Sequence, residues 1–150
     1  MLEDNLDGTT TEGFPVPTGE LPIAIIGAGF AGIGMAIQLK KAGIRSFRVF
    51  ERASEIGGTW RDNTYPGAAC DVPSHVYSFS FEPNPDWSRM YAGSGEIQSY
   101  LLGCVEKHGL RRHLDLDTAI VEARWDEARA LWTLVTSRGR PTAVRRTQAP

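Results

Sequence analysis

The residues best suited to chemistry begin with "GAGFAG", Gly27 to Gly32, which fits the pattern G-x-G-x-x-G. Glycines at this spacing serve three ends. Gly27 permits a tight turn, Gly29 lets a pyrophosphate approach bare backbone, and Gly32 lets a helix pack close to a strand. The free amides and the partial positive charge at the start of that helix would hold the phosphates. Glu51 stands at the end of the next strand-like run, about 20 residues further on, where a carboxylate can accept from both hydroxyls of a ribose. An acid there also disfavours a 2′-phosphate, so the pattern points to FAD or NAD rather than NADP. The competing reading is that the glycines only pack helix on strand and that Glu51 is a solvated strand end.

The motif requires a strand before it and a helix after it. "PIAIIG", Pro22 to Gly27, is a short apolar run rich in isoleucine, and it predicts a strand buried on both faces of a parallel sheet. "FAGIGMAIQLKKAG" follows with Ile33, Ala36 and Ile37 at helical spacing and Gly43 placed as a helix-ending glycine. "SFRVFE" then predicts a second strand, which completes a βαβ unit of about thirty residues. Further on, "SGEIQSYLLGCVEKHG" predicts a helix with Ser94 as its N-cap, Glu96 in the first turn, and Lys107 and His108 in the last. "TAIVEARW" and "LWTLV" alternate around "DEARA" and predict a β-hairpin. The expected fold is α/β. Residues 1–20 read as a flexible leader, 21–137 as a partial nucleotide-binding domain, and 138–150 as an irregular basic tail carrying Arg138, Arg140, Arg145 and Arg146.

Bulk properties narrow the function. A chain of 150 residues, 41% apolar and 23% charged, suits one globular domain. A net charge of -2 gives no reason to expect a nucleic-acid partner. Cys70 and Cys104 stand alone, with no C-x-x-C, so neither a metal site nor a disulfide framework is expected, and a reducing cytoplasm fits. The acidic, Thr- and Gly-rich start does not read as a signal peptide. The apolar run from Ile23 to Leu39 falls short of the roughly 20 residues a membrane span needs and is interrupted by glycines, so no membrane role is expected.

FAD and NAD are separated by the segment after Glu51. "GGTWRDNTYPGAACDVPSHVYSFSF", Gly57 to Phe81, is long, aromatic and without period. It is too aromatic to be disordered, and loops of such length are usually functional. Its glycine pair, Gly57-Gly58, would let a second backbone segment approach the dinucleotide, with the aromatic loop covering a larger, flatter ligand. Together with "PDWSRMYAGSGEIQSYL", these motifs resemble the N-terminal FAD-binding part of flavin-dependent Baeyer–Villiger monooxygenases, within the wider flavin-containing monooxygenases. The resemblance covers roughly residues 21–135.

The resemblance implies a Rossmann-like FAD-binding unit with a long cofactor-covering loop. It implies FAD contacts at Gly27, Gly29, Gly32, Glu51, Arg52, Gly58, Thr59, Trp60, Arg61, Asp62, Ala69, Cys70 and Tyr77, and an adenine-facing backbone at Ile120 or Val121. Asp71 is the position set beside flavin and nicotinamide, opposed in the family by an Arg from later in the chain. The implied activity is NADPH-dependent insertion of one oxygen atom from O2 into a ketone through a C4a-peroxyflavin; a sulfide or amine is the second substrate class. Plain structural readings stand beside these: Trp60 also suits a core, Asp62 a turn, Asp71 an Asx-turn before Val72-Pro73, and Tyr77 an ordinary strand "VYSFSF". Cys70 fits a small buried hydrophobe better than a nucleophile.

The chain departs from the family pattern in lacking a second G-x-G-x-x-G for NADPH, since "GSGEIQ" fails at Gln98. "RPTAVRRTQAP" also stands where an apolar returning strand would be, so the sequence reads as incomplete relative to the family, either truncated or altered in frame. A non-catalytic FAD-binding fragment is therefore the alternative to an enzyme. Chain 1–150 alone is expected to show no NADPH-dependent oxygen uptake in an oxygen-electrode assay, and measurable turnover would contradict that reading.

Overall fold

The fold, a computed structural model describing residues 23–139 and 141–145, is arranged around β2 (Phe47–Phe50), all four of whose residues are buried. β2 is buried because it has strands on both edges and cover on both faces. β1 (Ile23–Ile26) pairs with it in parallel, Ile23 opposite Phe47 and Ile26 opposite Phe50. β3 (Leu114–Asp115) pairs in parallel on the other edge, at Val49 and Phe50. Successive side chains of a strand point to opposite faces, and here each face meets a different layer. Ile25, Phe47 and Val49 pack against Ile33, Ala36 and Ile37 of helix α1 (Phe30–Lys41), with Leu101, Cys104 and Val105 of a later helix in the same core. Phe50, with Ala24 beside it, packs against Leu134 and Val144 of a second sheet.

That second sheet is antiparallel, in the order β4 (Ile120–Asp126), β5 (Leu131–Thr136), β6 (Pro141–Arg145). The expected hairpin is its first two strands. Its third strand replaces part of the expected irregular basic tail. Thr142 and Val144 are buried, so the period-two pattern of "PTAVR" outweighs its basic composition and the segment pairs along β5 from Leu131 to Val135. The expected leader, residues 1–20, lies outside the described residues.

Two further expectations are corrected. β1 is not buried along its whole length: Ile25 is buried but Ile26, next to the glycine turn, is 62% exposed. The later helix, α3, spans Ser94–Lys107, and its N-cap is Gly93 rather than Ser94. The Ser94 amide donates to the Ala68 carbonyl, and the helix opens without a side-chain cap bond. The long segment after β2 contains only a four-residue helix, α2 (Thr59–Asp62), and a single 3₁₀ turn at Ser74–Val76, so "VYSFSF" is no strand. No helix among the described residues is long and apolar enough to cross a membrane.

One polar interaction lies inside this frame. Arg48, in the middle of β2, is 8% exposed, and Asp115 on β3 is 7% exposed. The Arg48 guanidinium donates to both Asp115 carboxylate oxygens and to the Arg112 carbonyl, which satisfies it where water cannot reach. Removing one partner of a buried pair leaves an uncompensated charge. Asp115→Ala is therefore expected to lower stability by about 3–5 kcal/mol in urea unfolding. The double change Arg48→Met with Asp115→Leu should recover most of that loss, and equal losses for single and double variants would contradict the assignment.

Candidate dinucleotide-binding site

The glycine turn sits between β1 and α1, at the C-terminal end of the parallel strands. Gly27 adopts φ +93°, a conformation open to glycine, and its amide donates to the Phe50 carbonyl at 2.8 Å. A side chain at Gly27 would meet nothing within 4 Å, so the turn faces open space. At Gly32, by contrast, a Cβ would lie 1.9 Å from the Gly27 carbonyl oxygen. The third glycine therefore packs the helix against the turn, as its spacing predicts. Gly29 caps α1 through its backbone in extended conformation, with no side-chain cap bond.

A second backbone segment closes on the first. The Gly57 amide donates to the Ala28 carbonyl at 3.0 Å, and Gly58, at φ +54°, brings its Cα to 3.8 Å from where a Gly29 Cβ would stand. Two nearly bare backbones thus lie side by side at the start of α1, and any side chain there would fill the space between them. This is a cradle of the kind a diphosphate requires.

Glu51 lies beside this cradle and is 4% exposed. Its Oε2 accepts from the Ala28 amide at 2.8 Å, and its Oε1 accepts from the Ala53 amide at 3.0 Å and from Arg61 Nη1 at 3.1 Å. Burial alone would raise its pKa, but the Ala28 and Ala53 amides and the Arg61 charge outweigh it and hold the carboxyl below the usual carboxylate range. Glu51 is therefore no solvated strand end. A carboxylate offers about four acceptor positions. With three of them taken by protein donors, Glu51 keeps one open acceptor position, on Oε2.

A cavity of about 180 Å³ opens from this corner, lined by Ile26, Gly27, Phe50, Glu51, Arg52, Thr118, Ala119 and Ile120. Of the alternatives Ile120 and Val121, the first lines the cavity and the second is 63% exposed. Thr118 and Ala119 were not legible as site residues. The Thr118 amide bonds the Glu51 carbonyl at 2.8 Å, a contact between distant segments that leaves no mark on the local pattern.

The aromatic loop packs on the other side of the start of α1. Trp60 Nε1 donates to Tyr77 Oη at 3.1 Å, and the two rings meet edge to face at 5.4 Å. Both pack with Phe30, the first residue of α1, around buried Cys70, Ala92 and Ile97. Trp60 and Tyr77 thus belong to a packed cluster that joins the aromatic loop to the start of α1. Cys70 is buried and free, as a small hydrophobe would be. Its neighbours Ala69 and Asp71 are exposed, and Ala69 bridges to Gly93. Thr59 is exposed at the start of α2, and Asp62 accepts from Arg61 at 2.8 Å and lies 3.5 Å from Arg52. Arg52 is largely exposed at the cavity edge. The predicted residues therefore fall into two adjoining groups, one on the glycine turn and Glu51, the other on the aromatic loop.

Known proteins share this fold. The family model of an NAD(P)-binding Rossmann-like domain matches residues 25–93. A Baeyer–Villiger monooxygenase of Streptomyces coelicolor is 50% identical over 121 residues, 81% of this chain and 23% of that protein. A FAD-binding monooxygenase of Aspergillus terreus is 45% identical over 118 residues, 77% of this chain and 21% of that protein. The crystal structure of a cyclohexanone monooxygenase mutant from Rhodococcus sp. Phi1 bound to NADP+ superposes with a TM-score of 0.80 at 34% identity, over 85% of this chain and 25% of that one. The chain spans about a quarter of the length of the relatives it matches. Across that quarter it is similar in sequence and in fold to Baeyer–Villiger monooxygenases.

Proposed function

We propose that this chain forms the FAD-binding part of an NADPH-dependent Baeyer–Villiger monooxygenase that inserts oxygen into a ketone. The observation that carries the reading is the pair of bare backbones at Gly29 and Gly58 beside the buried carboxylate of Glu51. A flavin, when bound, supplies the oxygen chemistry, and the protein supplies binding and orientation.

Each group has a role of its own. The amides that open α1 hold the diphosphate, aided by the helix dipole. Glu51 Oε2 accepts one ribose hydroxyl, and the cavity ending at Ile120 receives the adenine. Trp60 and Tyr77 form the wall that keeps water from the ring system. Asp71, exposed beside buried Cys70, stands nearest the reacting end and sets the charge there. A ketone is the substrate class because the Rhodococcus relative is named for cyclohexanone; no feature of these residues favours a sulfide or amine. A cytoplasmic setting is consistent with free Cys70 and Cys104.

Two substitutions separate binding from folding. Gly29→Val places its side chain in the cradle, so FAD affinity should fall at least about 100-fold with a smaller drop in melting temperature than Gly32→Ala. Gly32→Ala meets the Gly27 carbonyl, so it should lower the melting temperature first. Fluorescence titration with FAD and a thermal melt of each variant check both. Full FAD binding by Gly29→Val would place the diphosphate elsewhere.

A further inference from the structure

We infer that Arg61 is a positioning residue for nucleotide binding: it fills Oε1 of Glu51 from behind and so leaves Oε2 as the one acceptor presented to the ribose. The inference rests on the dinucleotide reading and adds a residue that acts through Glu51 rather than on the ligand.

The geometry carries it. Arg61 sits on α2, its side chain 15% exposed, and it does not line the cavity in which Glu51, Arg52 and Ile120 meet. Its guanidinium is held on three sides, by Glu51 Oε1 at 3.1 Å, by the Glu55 carbonyl and by Asp62 Oδ1 at 2.8 Å. A planar guanidinium so held is fixed in orientation. The same helix begins at Thr59, directly after the Gly58 that lies on the diphosphate cradle. Arg61 therefore ties the segment over the diphosphate to the acid that receives the ribose, so that the two halves of the nucleotide site are set in register before a ligand arrives.

The other charged groups near Glu51 do not do this. Arg52 points outward, 3.5 Å from Asp62. Glu55 is paired with Arg111, and Asp115 with Arg48. Asp117 is exposed beyond β3, and Asp62 is bonded to Arg61 itself. Arg61 alone among the described charged side chains bonds the Glu51 carboxylate, so its removal leaves Oε1 with the Ala53 amide as its one donor and lets the carboxyl take up a proton more readily.

The test measures FAD affinity of chain 1–150 by fluorescence titration from pH 5 to 8, for the wild type and for Arg61→Met, Arg61→Lys, Glu51→Gln and Glu51→Gln with Arg61→Met. Arg61→Met is expected to weaken binding about tenfold at pH 7.5, the size of one charge-assisted hydrogen bond. It should weaken further as pH falls toward 5, because Glu51 protonates earlier without the neighbouring charge, while the wild type stays nearly flat. In the Glu51→Gln background the same change should cost less than about twofold. A tenfold cost in both backgrounds, or a pH profile for Arg61→Met parallel to the wild type, would overturn the inference. If Arg61→Met fails to fold by circular dichroism, Arg61→Lys decides. It keeps the charge and should follow the wild-type pH profile, and a profile steeper than the wild type would count against the proposal. Wild-type chain that does not bind FAD at any pH would remove the dinucleotide reading, and this inference with it.

Discussion

The hydrogen bond from the Ala28 amide to Glu51 Oε2, 2.8 Å long and closed to water, is the constraint on which the rest of the site depends. It joins the glycine turn to the end of β2 across 23 residues of sequence. A buried carboxylate is costly unless its oxygens are bonded. Ala28, Ala53 and Arg61 meet that requirement, and in doing so they fix where the turn, the residue after β2 and α2 stand relative to one another. The bare backbones at Gly29 and Gly58 and the cavity that ends at Ile120 inherit their positions from this junction.

The frame beneath it is built to be rigid. β2 is covered on one face by α1 and on the other by the β4–β6 sheet, so its apolar residues hold two layers together. The buried Arg48–Asp115 pair adds direction to this apolar packing, since it fixes β3 beside β2. β3 in turn leads to Asp117 and Thr118, whose amides bond the carbonyls of Ala53 and Glu51. The rear wall of the site is thus set by an ion pair some distance behind it.

What was legible in the sequence was local. The glycine spacing, the α1 periodicity and the β4–β5 hairpin depend on neighbours in the chain, and each stands where the pattern put it. What was not legible depends on partners far away. β3 has two residues, too few for any period, and exists because Val49 and Phe50 have a free edge. β6 was hidden by arginines around an alternating core. Ser94 has the chemistry of a cap, but its amide donates to the distant Ala68 carbonyl and the helix opens without a side-chain cap bond. Glu51 could be placed beside a ribose, yet nothing in the spacing reveals that Arg61 occupies one of its oxygens.

The central claim is that a diphosphate rests on bare backbone between Gly29 and Gly58 while Glu51 receives the neighbouring ribose. A crystal structure of the chain grown with FAD tests it most directly. The account predicts phosphate oxygens within hydrogen-bond reach of the amides that open α1, and one ribose hydroxyl on Glu51 Oε2 with Arg61 still on Oε1. A nucleotide bound away from that corner would contradict it.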